Sequence, residues 1–213
     1  MAVKQGVMRI GVLGGAFDPP HMAHVQVAQA AIEQLSLDRL WIVPTGNAWH
    51  KSPSIAPAEH RLEMARLAFR DLPVAAVTDI EIERAGPSYT ADTLADLQTQ
   101  FASDEAGVQS EWFLVMGQDQ LNAFERWVRQ DEILQRATLA VAPRALSAGD
   151  AQKASGVPKW PHVMLEMPFS PASSTAIRTT AQQDHRTVSA PEFLAEAVAR
   201  YIAQHNLYSE SNK

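Results

Sequence analysis

Residues 9–24 read RIGVLGGAFDPPHMAH and decide the fold of this chain. The apolar first half predicts a short buried strand. We expect Gly14 and Gly15 to end that strand, because glycine allows a sharp turn and the close approach of another group. The two prolines stiffen the loop that follows and lead into a helix, which we expect to begin near His21.

His21 and His24 are three residues apart, so on a helix they share one face. That face lies at the helix N-terminus, where unpaired N–H groups and the macrodipole favour an anion. A glycine turn, a helix start and two imidazoles therefore predict a phosphate site. Two other readings stay open here, a metal-binding pair and two ordinary polar residues of a first turn. The metal reading lacks a visible third ligand, and catalytic zinc usually has three protein ligands.

The composition of the chain limits the classes of function. A length of 213 residues with 46% hydrophobic and 20% charged residues predicts one soluble globular domain over 1–213. No apolar run is long enough to span a bilayer and no signal peptide pattern is present, so we expect no membrane partner.

The absence of cysteine excludes disulfides and fits a cytoplasmic location. A net charge of −6 argues against nucleic acid as a partner, so phosphate binding has to be local. The sequence leaves the oligomeric state open, a homo-oligomer included.

Segments typical of strands and helices alternate along the chain. This alternation predicts an α/β fold of the Rossmann-like, doubly wound type, with a mainly parallel sheet and helices on both faces. The expected strands after the first are 39–43, 112–116, 138–142 and 162–165, with an extended segment at 74–82. The expected further helices are 58–69, one opened by 88–90, and a last one from near Pro191 that carries Phe193, Leu194, Val198, Tyr201 and Ile202. We expect a C-terminal helical part over about 173–208 and a flexible excursion at 145–161.

A second informative stretch is residues 170–178, SPASSTAIR. Ser173, Ser174 and Thr175 are natural N-caps, and a helix is expected to follow them. Capping alone would explain these three side chains. Arg178 favours a ligand, because a cation in a first helical turn opposes the macrodipole unless it meets an anion held there. A planar guanidinium suits a phosphate.

The two stretches together resemble a known superfamily. Residues 14–24 are similar to the G-G-x-F-D-P-x-H-x-G-H signature of nucleotidyltransferases related to class I aminoacyl-tRNA synthetases, with Ala23 in place of the usual glycine. Residues 173–178 resemble the second signature of that superfamily, S-S-T-x-I-R, which grips the triphosphate of the nucleotide. The glycine spacing fits neither the dinucleotide fingerprint nor a P-loop.

Three further segments resemble the bacterial nicotinate-nucleotide adenylyltransferases. They are PSYT at 87–90 followed by Thr93-Leu94, GQDQL at 117–121 followed by Phe124 and Trp127, and His50-Lys51. The resemblance implies adenylyl transfer from ATP to nicotinate mononucleotide, giving nicotinate adenine dinucleotide and pyrophosphate. The alternatives are transfer to nicotinamide mononucleotide or phosphopantetheine, a non-catalytic nucleotide-binding module, and a nicotinamide-cofactor oxidoreductase, which the missing fingerprint weakens.

The resemblance also implies roles for individual residues. The catalytic residues would be His21, His24, Lys51 and Arg178. ATP would be bound by Gly14, Gly15, Phe17, Asp18, His21, His24, Gly117, Asp119, Ser174, Thr175 and Arg178. Nicotinate mononucleotide would be bound by Gly15, Ala16, Thr45, Lys51, Tyr89, Thr90 and Trp127, with Tyr89 and Trp127 flanking the ring and Thr90 meeting its carboxylate. Mg²⁺ would bridge the ATP phosphates mostly through water. Asp18 is either a more distant magnesium group or the former of an Asx-turn.

Overall fold

The computed structural model describes residues 6–46, 55–143, 159–168, 172–183 and 193–208. Within these ranges, six strands form one sheet in which every pairing is parallel. The strands are β1 (Met8–Gly15), β2 (Arg39–Pro44), β3 (Ala75–Val77), β4 (Ser110–Gly117), β5 (Thr138–Ala142) and β6 (His162–Met164). No helix within the described ranges is long and apolar enough to cross a membrane.

The described residues also form seven helices and one short 3₁₀ turn, of which the last two helices follow the final strand. The helices are α1 (Met22–Gln34), α2 (Ala58–Phe69), α3 (Thr90–Asp104), α4 (Gln118–Ala123), α5 (Gln130–Arg136), α6 (Ser174–Gln183) and α7 (Glu196–Gln204). The 3₁₀ turn covers Phe124–Arg126. The predicted α/β architecture is confirmed, and the sheet is parallel throughout its described length.

The two faces of the sheet carry separate hydrophobic clusters. Side chains of a strand point alternately to opposite faces, and β4 shows this directly. Trp112, Leu114 and Met116 pack with α3 and α5, whereas Phe113 and Val115 pack with α1, α2 and α7. Burial on both faces explains why this strand is a continuous apolar run in the sequence.

The strand order β3-β2-β1-β4-β5-β6 places a switch point between β1 and β4. The chain runs outward from β1 through β2 to β3 and then returns to the other side of β1. Open α/β sheets bind ligands at such a point, outside the carboxyl ends of the strands. The loops that follow β1, β2 and β4 meet there, because all three strands run in the same direction.

The structure corrects three expectations about the elements. The segment expected to be extended over 74–82 contains only the three-residue strand β3, and turns follow it. The last helix begins at Glu196, so Phe193 and Leu194 precede it, and 184–192 lies outside the described residues. The sequence reading also missed α4 and α5, which are only six and seven residues long. Segments this short give little helical periodicity to detect.

Candidate active site

The loop between β1 and α1 turns at Phe17 and not at the glycines. Gly14 and Gly15 are still part of β1, and neither has a positive φ. The left-handed backbone is at Phe17, with φ of 49°. The peptide bond between Asp18 and Pro19 is cis. The glycines therefore end the strand, as predicted, but the sharp turn expected at them lies further on, at Phe17. Gly15 also allows the predicted close approach of another group, because a Cβ there would lie 3.1 Å from the ring of Phe17.

The two histidines meet at the start of α1, as predicted. Their rings stack with centroids 3.8 Å apart and planes inclined by 29°. The edge of Phe17 packs on His24, with centroids 5.1 Å apart. The backbone N–H of His21 donates to Nδ1 of His24 over 3.2 Å. Because Nδ1 of His24 accepts, the proton of its neutral ring is on Nε2, which makes Nε2 a donor.

His21 is held in its neutral form by burial. Its residue is only 8% exposed, and desolvation lowers the pKa of its imidazole from 6.5 to about 4. Within the described part of the chain its Nδ1 is buried without a hydrogen-bond partner. The imidazole is therefore uncharged at neutral pH and carries an N–H donor on one of its two nitrogens.

The first turn of α6 docks onto the same loop. Ser173 caps this helix by accepting from the N–H of Ala176 over 3.1 Å, as predicted. The hydroxyl of Ser174 instead donates to the carbonyl of Pro19 over 3.0 Å. Arg178 donates through Nη1 to the carbonyl of Asp18 over 2.7 Å. Two segments about 155 positions apart in sequence thus bring imidazole, hydroxyl and guanidinium groups to one loop.

The carboxylate of Asp18 contacts three other segments of the chain, through Ala56, Arg178 and Tyr208. Its residue is 4% exposed, and its Oδ1 accepts from the N–H of Ala56 at 3.1 Å and from the hydroxyl of Tyr208 at 2.7 Å. Its Oδ2 lies 3.6 Å from Nη1 of Arg178. The Asx-turn reading fails, because the residue two positions on is Pro20, which has no N–H to donate.

A buried arginine that the sequence reading missed ties the loops together. Arg61 is 2% exposed on α2. Its guanidinium donates to the carbonyls of Ala16, Gly46 and Ala56 over 2.9–3.0 Å. Burial lowers its pKa, and the carboxylate of Asp18 is the largest of the charges that oppose this. The sequence did contain an indication, because Arg61 stands at a position of α2 whose helical spacing places it on the buried face, with Met64, Ala65 and Ala68.

The loop after β2 is held against the segment before α3. A Cβ on Gly46 would lie 1.9 Å from the carbonyl oxygen of Glu81, so only glycine fits this approach of two backbones. Glu81 is itself held by the hydroxyl of Thr93, which donates to its carboxylate over 2.8 Å. Burial raises the pKa of Glu81. The N–H of Thr45 donates to the carbonyl of Gly15 over 2.9 Å, which brings the loops after β1 and β2 together.

The aromatic candidates lie at the start of α3 and after α4. Tyr89 and Trp127 are both half-buried, and Trp127 packs on Phe124 with centroids 5.4 Å apart. Arg129 links the two segments. Its guanidinium lies 6.0 Å from the ring centroid of Tyr89 and pairs with Asp92 of α3 over 2.5 Å. Arg129 also has a left-handed backbone, with φ of 57°.

The remaining candidates are placed as follows. Thr90 is the first residue of α3, and Gly117 precedes the first turn of α4, in which Asp119 is exposed. Thr175 lies in the first turn of α6, with Oγ1 3.5 Å from Nη2 of Arg178. Ala23 lies, half-buried, in the first turn of α1. Lys51 and most of the excursion at 145–161 lie outside the described residues.

The chain matches the cytidylyltransferase-like family model over residues 12–180. This match begins in β1 and ends in α6, so it includes both stretches that converge on the loop after β1.

Relatives and solved structures agree with that match. A probable nicotinate-nucleotide adenylyltransferase of Albidiferax ferrireducens is 45% identical over 94% of this chain and 98% of its own length. One from Bordetella parapertussis is 41% identical over 95% of this chain and 99% of its own length. The structure of Plasmodium falciparum nicotinic acid mononucleotide adenylyltransferase complexed with NaAD shares the fold, with a TM-score of 0.67, 17% identity, and coverage of 94% of this chain and 97% of that one.

Proposed function

The chain belongs to the nicotinate-nucleotide adenylyltransferase family, within the cytidylyltransferase-like proteins, and we propose how its residues carry out that family's reaction. The reaction is the transfer of an adenylyl group from ATP to nicotinate mononucleotide, a step of NAD biosynthesis. The products are nicotinate adenine dinucleotide and pyrophosphate. The observation that carries the residue assignment is the convergence of His24, Ser174 and Arg178 on the loop after β1.

The bond changes need no nucleophile from the protein. A phosphate oxygen of nicotinate mononucleotide attacks the α-phosphorus of ATP, the bond from that phosphorus to the bridging oxygen breaks, and pyrophosphate leaves with the electron pair. The attacking oxygen is already an anion at neutral pH, so no general base is required. Catalysis is then positioning and charge neutralisation, and alignment of two bound reactants can supply about 7–11 kcal/mol.

His21 and His24 are proposed to donate to the α-phosphate as its negative charge grows. The tautomer of His24 supports this role, because its Nε2 carries a proton that can be donated. The neutral state of His21 suits a donor that holds its proton throughout the reaction. One such donor to developing charge is worth about 3–4 kcal/mol.

Arg178, Ser174 and Thr175 are proposed to hold the β- and γ-phosphates. The start of α6 supplies N–H groups for the same anion, and Arg178, the fifth residue of this helix, lies just beyond its first turn. Gly14, Gly15 and Phe17 would shape the floor beneath the phosphates, and Gly117 and Asp119 would approach the nucleotide from the end of β4. Lys51 is proposed as a further cation for the phosphates.

Mg²⁺ is proposed to arrive with the nucleotide as MgATP. The protein groups fit this role better than they fit a resident ion, because the carboxylate of Asp18 is already engaged by Ala56, Tyr208 and Arg178. Within the described residues no group of three or more potential ligands could hold a metal. The ion would neutralise phosphate charge, bound mainly by phosphate oxygens and water.

The acceptor is proposed to bind beside the loops after β1 and β2. Its pyridine ring would lie between Tyr89 and Trp127, and its carboxylate would meet Thr90 and backbone N–H groups. Gly15, Ala16 and Thr45 would contact its phosphoribosyl part. The link from Thr45 to Gly15 supports this, since it joins the loops that would contact both substrates.

A pyrophosphate-release assay tests the proposal. The enzyme is given MgATP with nicotinate mononucleotide, nicotinamide mononucleotide or phosphopantetheine in turn, and each mixture is repeated without magnesium. We expect release with nicotinate mononucleotide, much less with the other two acceptors, and little without magnesium. Release without any acceptor preference would contradict the assignment of the ring site. No release with any acceptor would favour a non-catalytic nucleotide-binding module.

A further inference from the structure

The last turn of the described chain reaches back to the phosphate-binding loop. After α7 the backbone adopts left-handed conformations at Asn206, with φ of 50°, and at Tyr208, with φ of 65°. Residues other than glycine rarely adopt this region, so surrounding contacts have to hold it. The buried Leu207 between them anchors the turn, which leaves Tyr208 directed at Asp18.

Tyr208 forms a short hydrogen bond to a nearly inaccessible carboxylate. Its hydroxyl donates to Oδ1 of Asp18 over 2.7 Å, and Asp18 is 4% exposed. Burial and the adjacent Asp18 raise the pKa of Tyr208 above its usual value of 10, so the hydroxyl remains a donor at neutral pH. With the N–H of Ala56 on the same oxygen, the carboxylate is fixed from two sides.

Asp18 passes this constraint on to Arg178. Its Oδ2 pairs with Nη1 of Arg178 at 3.6 Å, and its backbone carbonyl accepts from the same nitrogen over 2.7 Å. The side chain of Arg178 is 26% exposed, so one side of the guanidinium is anchored while part of it still faces solvent. An arginine held in this way loses less conformational entropy when it binds a phosphate.

We propose that Tyr208 is a positioning residue for triphosphate binding, which acts through Asp18 to orient Arg178. This rests on the proposed role of Arg178 toward the β- and γ-phosphates. Tyr208 touches no substrate. Its effect is to keep the carboxylate in the one arrangement that presents the guanidinium to the site. A segment after α7, outside the two stretches that resemble the superfamily, thereby supports the ATP site.

The test compares two tyrosine hydroxyls from the same C-terminal segment. Tyr208→Phe removes the hydroxyl on Asp18. Tyr201→Phe is the matched control. It also removes a tyrosine hydroxyl, but that hydroxyl contacts Nδ1 of His60 on α2, at 3.0 Å, and not Asp18. We expect Tyr208→Phe to raise the KM for MgATP, and the KM for pyrophosphate in the reverse direction, about tenfold, as for loss of a hydrogen bond to a charged group. The KM for nicotinate mononucleotide stays within about twofold, and Tyr201→Phe changes none of the three.

The double variant separates positioning from general stability. In an Arg178→Ala background, Tyr208→Phe should change the KM for MgATP by less than about twofold, because the group it orients is gone. Three outcomes would overturn the role of Tyr208 and leave the proposed role of Arg178 standing. They are additive effects of the two substitutions, an equal rise of all three KM values in Tyr208→Phe, and no rise of its KM for MgATP. A normal KM for MgATP in Arg178→Ala itself would overturn the proposed role of Arg178 and this inference with it.

A second variant serves if Tyr208→Phe does not fold, as judged by its melting temperature. Asp18→Asn keeps an oxygen acceptor for Ala56 but replaces the oxygen near Arg178 with an amide donor or an uncharged acceptor. The same rise in KM for MgATP and pyrophosphate is expected. Unchanged values would overturn the proposal.

Discussion

The phosphate end and the ring end of this site are built differently. The phosphate end consists of the loop after β1, the first turn of α1 and the N-terminal half of α6, and the ring end consists of Tyr89, Thr90 and Trp127. At the phosphate end, groups distant in sequence are hydrogen-bonded to one another around the buried Asp18, and the buried Arg61 of α2 supports the loop after β1. At the ring end, Tyr89 and Trp127 are half-buried. Their segments are linked by Arg129, whose side chain is 37% exposed and contacts Tyr89 and Asp92.

This difference matches the two tasks that we propose. Stabilising the charge that develops at a phosphorus atom needs donors fixed in advance, because reorganisation during the reaction would cancel their benefit. Recognition of a ring by aromatic side chains depends more on the apolar area that they bury than on fixed hydrogen-bond directions. We therefore expect substitutions at the phosphate end to affect turnover, folding or the KM for MgATP, and those at the ring end to affect the KM for nicotinate mononucleotide.

The largest expected effect tests the phosphate end directly. His24→Ala should lower turnover about 100- to 1,000-fold, because it removes a donor to the α-phosphate. The melting temperature should change little, since His24 is only half-buried. Steady-state pyrophosphate release gives the turnover number. His205→Ala, an exposed residue after α7, is the control and should keep normal turnover. Near-normal turnover in His24→Ala would remove the proposed role.

The second prediction tests whether the phosphate end depends on its buried support. Arg61→Met should lower the free energy of unfolding by about 3 kcal/mol, because three carbonyls lose their donor and two of these hydrogen bonds are buried. Arg66→Met on the same helix is the control, since its side chain is 49% exposed and it should shift stability by about 0.5 kcal/mol or less. Urea denaturation measures both. Equal losses would show that Arg61 is not a specific support.

The third prediction uses the neutral state of His21. The unfolded chain protonates this imidazole near pH 6.5, whereas the folded protein resists protonation down to about pH 4. Acid therefore favours unfolding, and the folded state should lose about 2 kcal/mol through this group between pH 7.5 and pH 5. His21→Gln should remove that part of the pH dependence. Urea denaturation at the two pH values measures it, and parallel pH profiles for the two proteins would contradict the burial argument.

The smallest expected effect belongs to the ring end. Trp127→Ala should raise the KM for nicotinate mononucleotide about tenfold, since stacking on one aromatic face is worth about 1 kcal/mol or slightly more. The KM for MgATP should stay within about twofold. Trp127→Phe keeps a flat ring and should behave almost as the unchanged enzyme. A rise in the KM for MgATP with Trp127→Ala would blur the distinction between the two ends.

The sequence predicted the phosphate end well where the residues that form it are contiguous. The stacked histidines, the cap at Ser173 and the placement of Arg178 follow from helix spacing and helix-end chemistry. The glycines end the strand, as predicted, but the sharp turn expected at them lies at Phe17, which has the left-handed backbone. Tertiary packing holds that strained residue, with Phe17 1% exposed, and no local preference announces it.

By itself, the sequence determined the alternation of strands and helices, the parallel sheet and the chemical groups offered to a phosphate. Hydrophobic periodicity and helix-end preferences act between near neighbours, so they can be read along the chain. Only the tertiary structure decided that Arg61 joins the loops after β1 and β2 through the carbonyls of Ala16 and Gly46, that Gly46 has to be glycine, and that Tyr208 bonds to Asp18. These contacts join residues from 15 to 190 positions apart, and their energies depend on burial that exists only after the chain has folded.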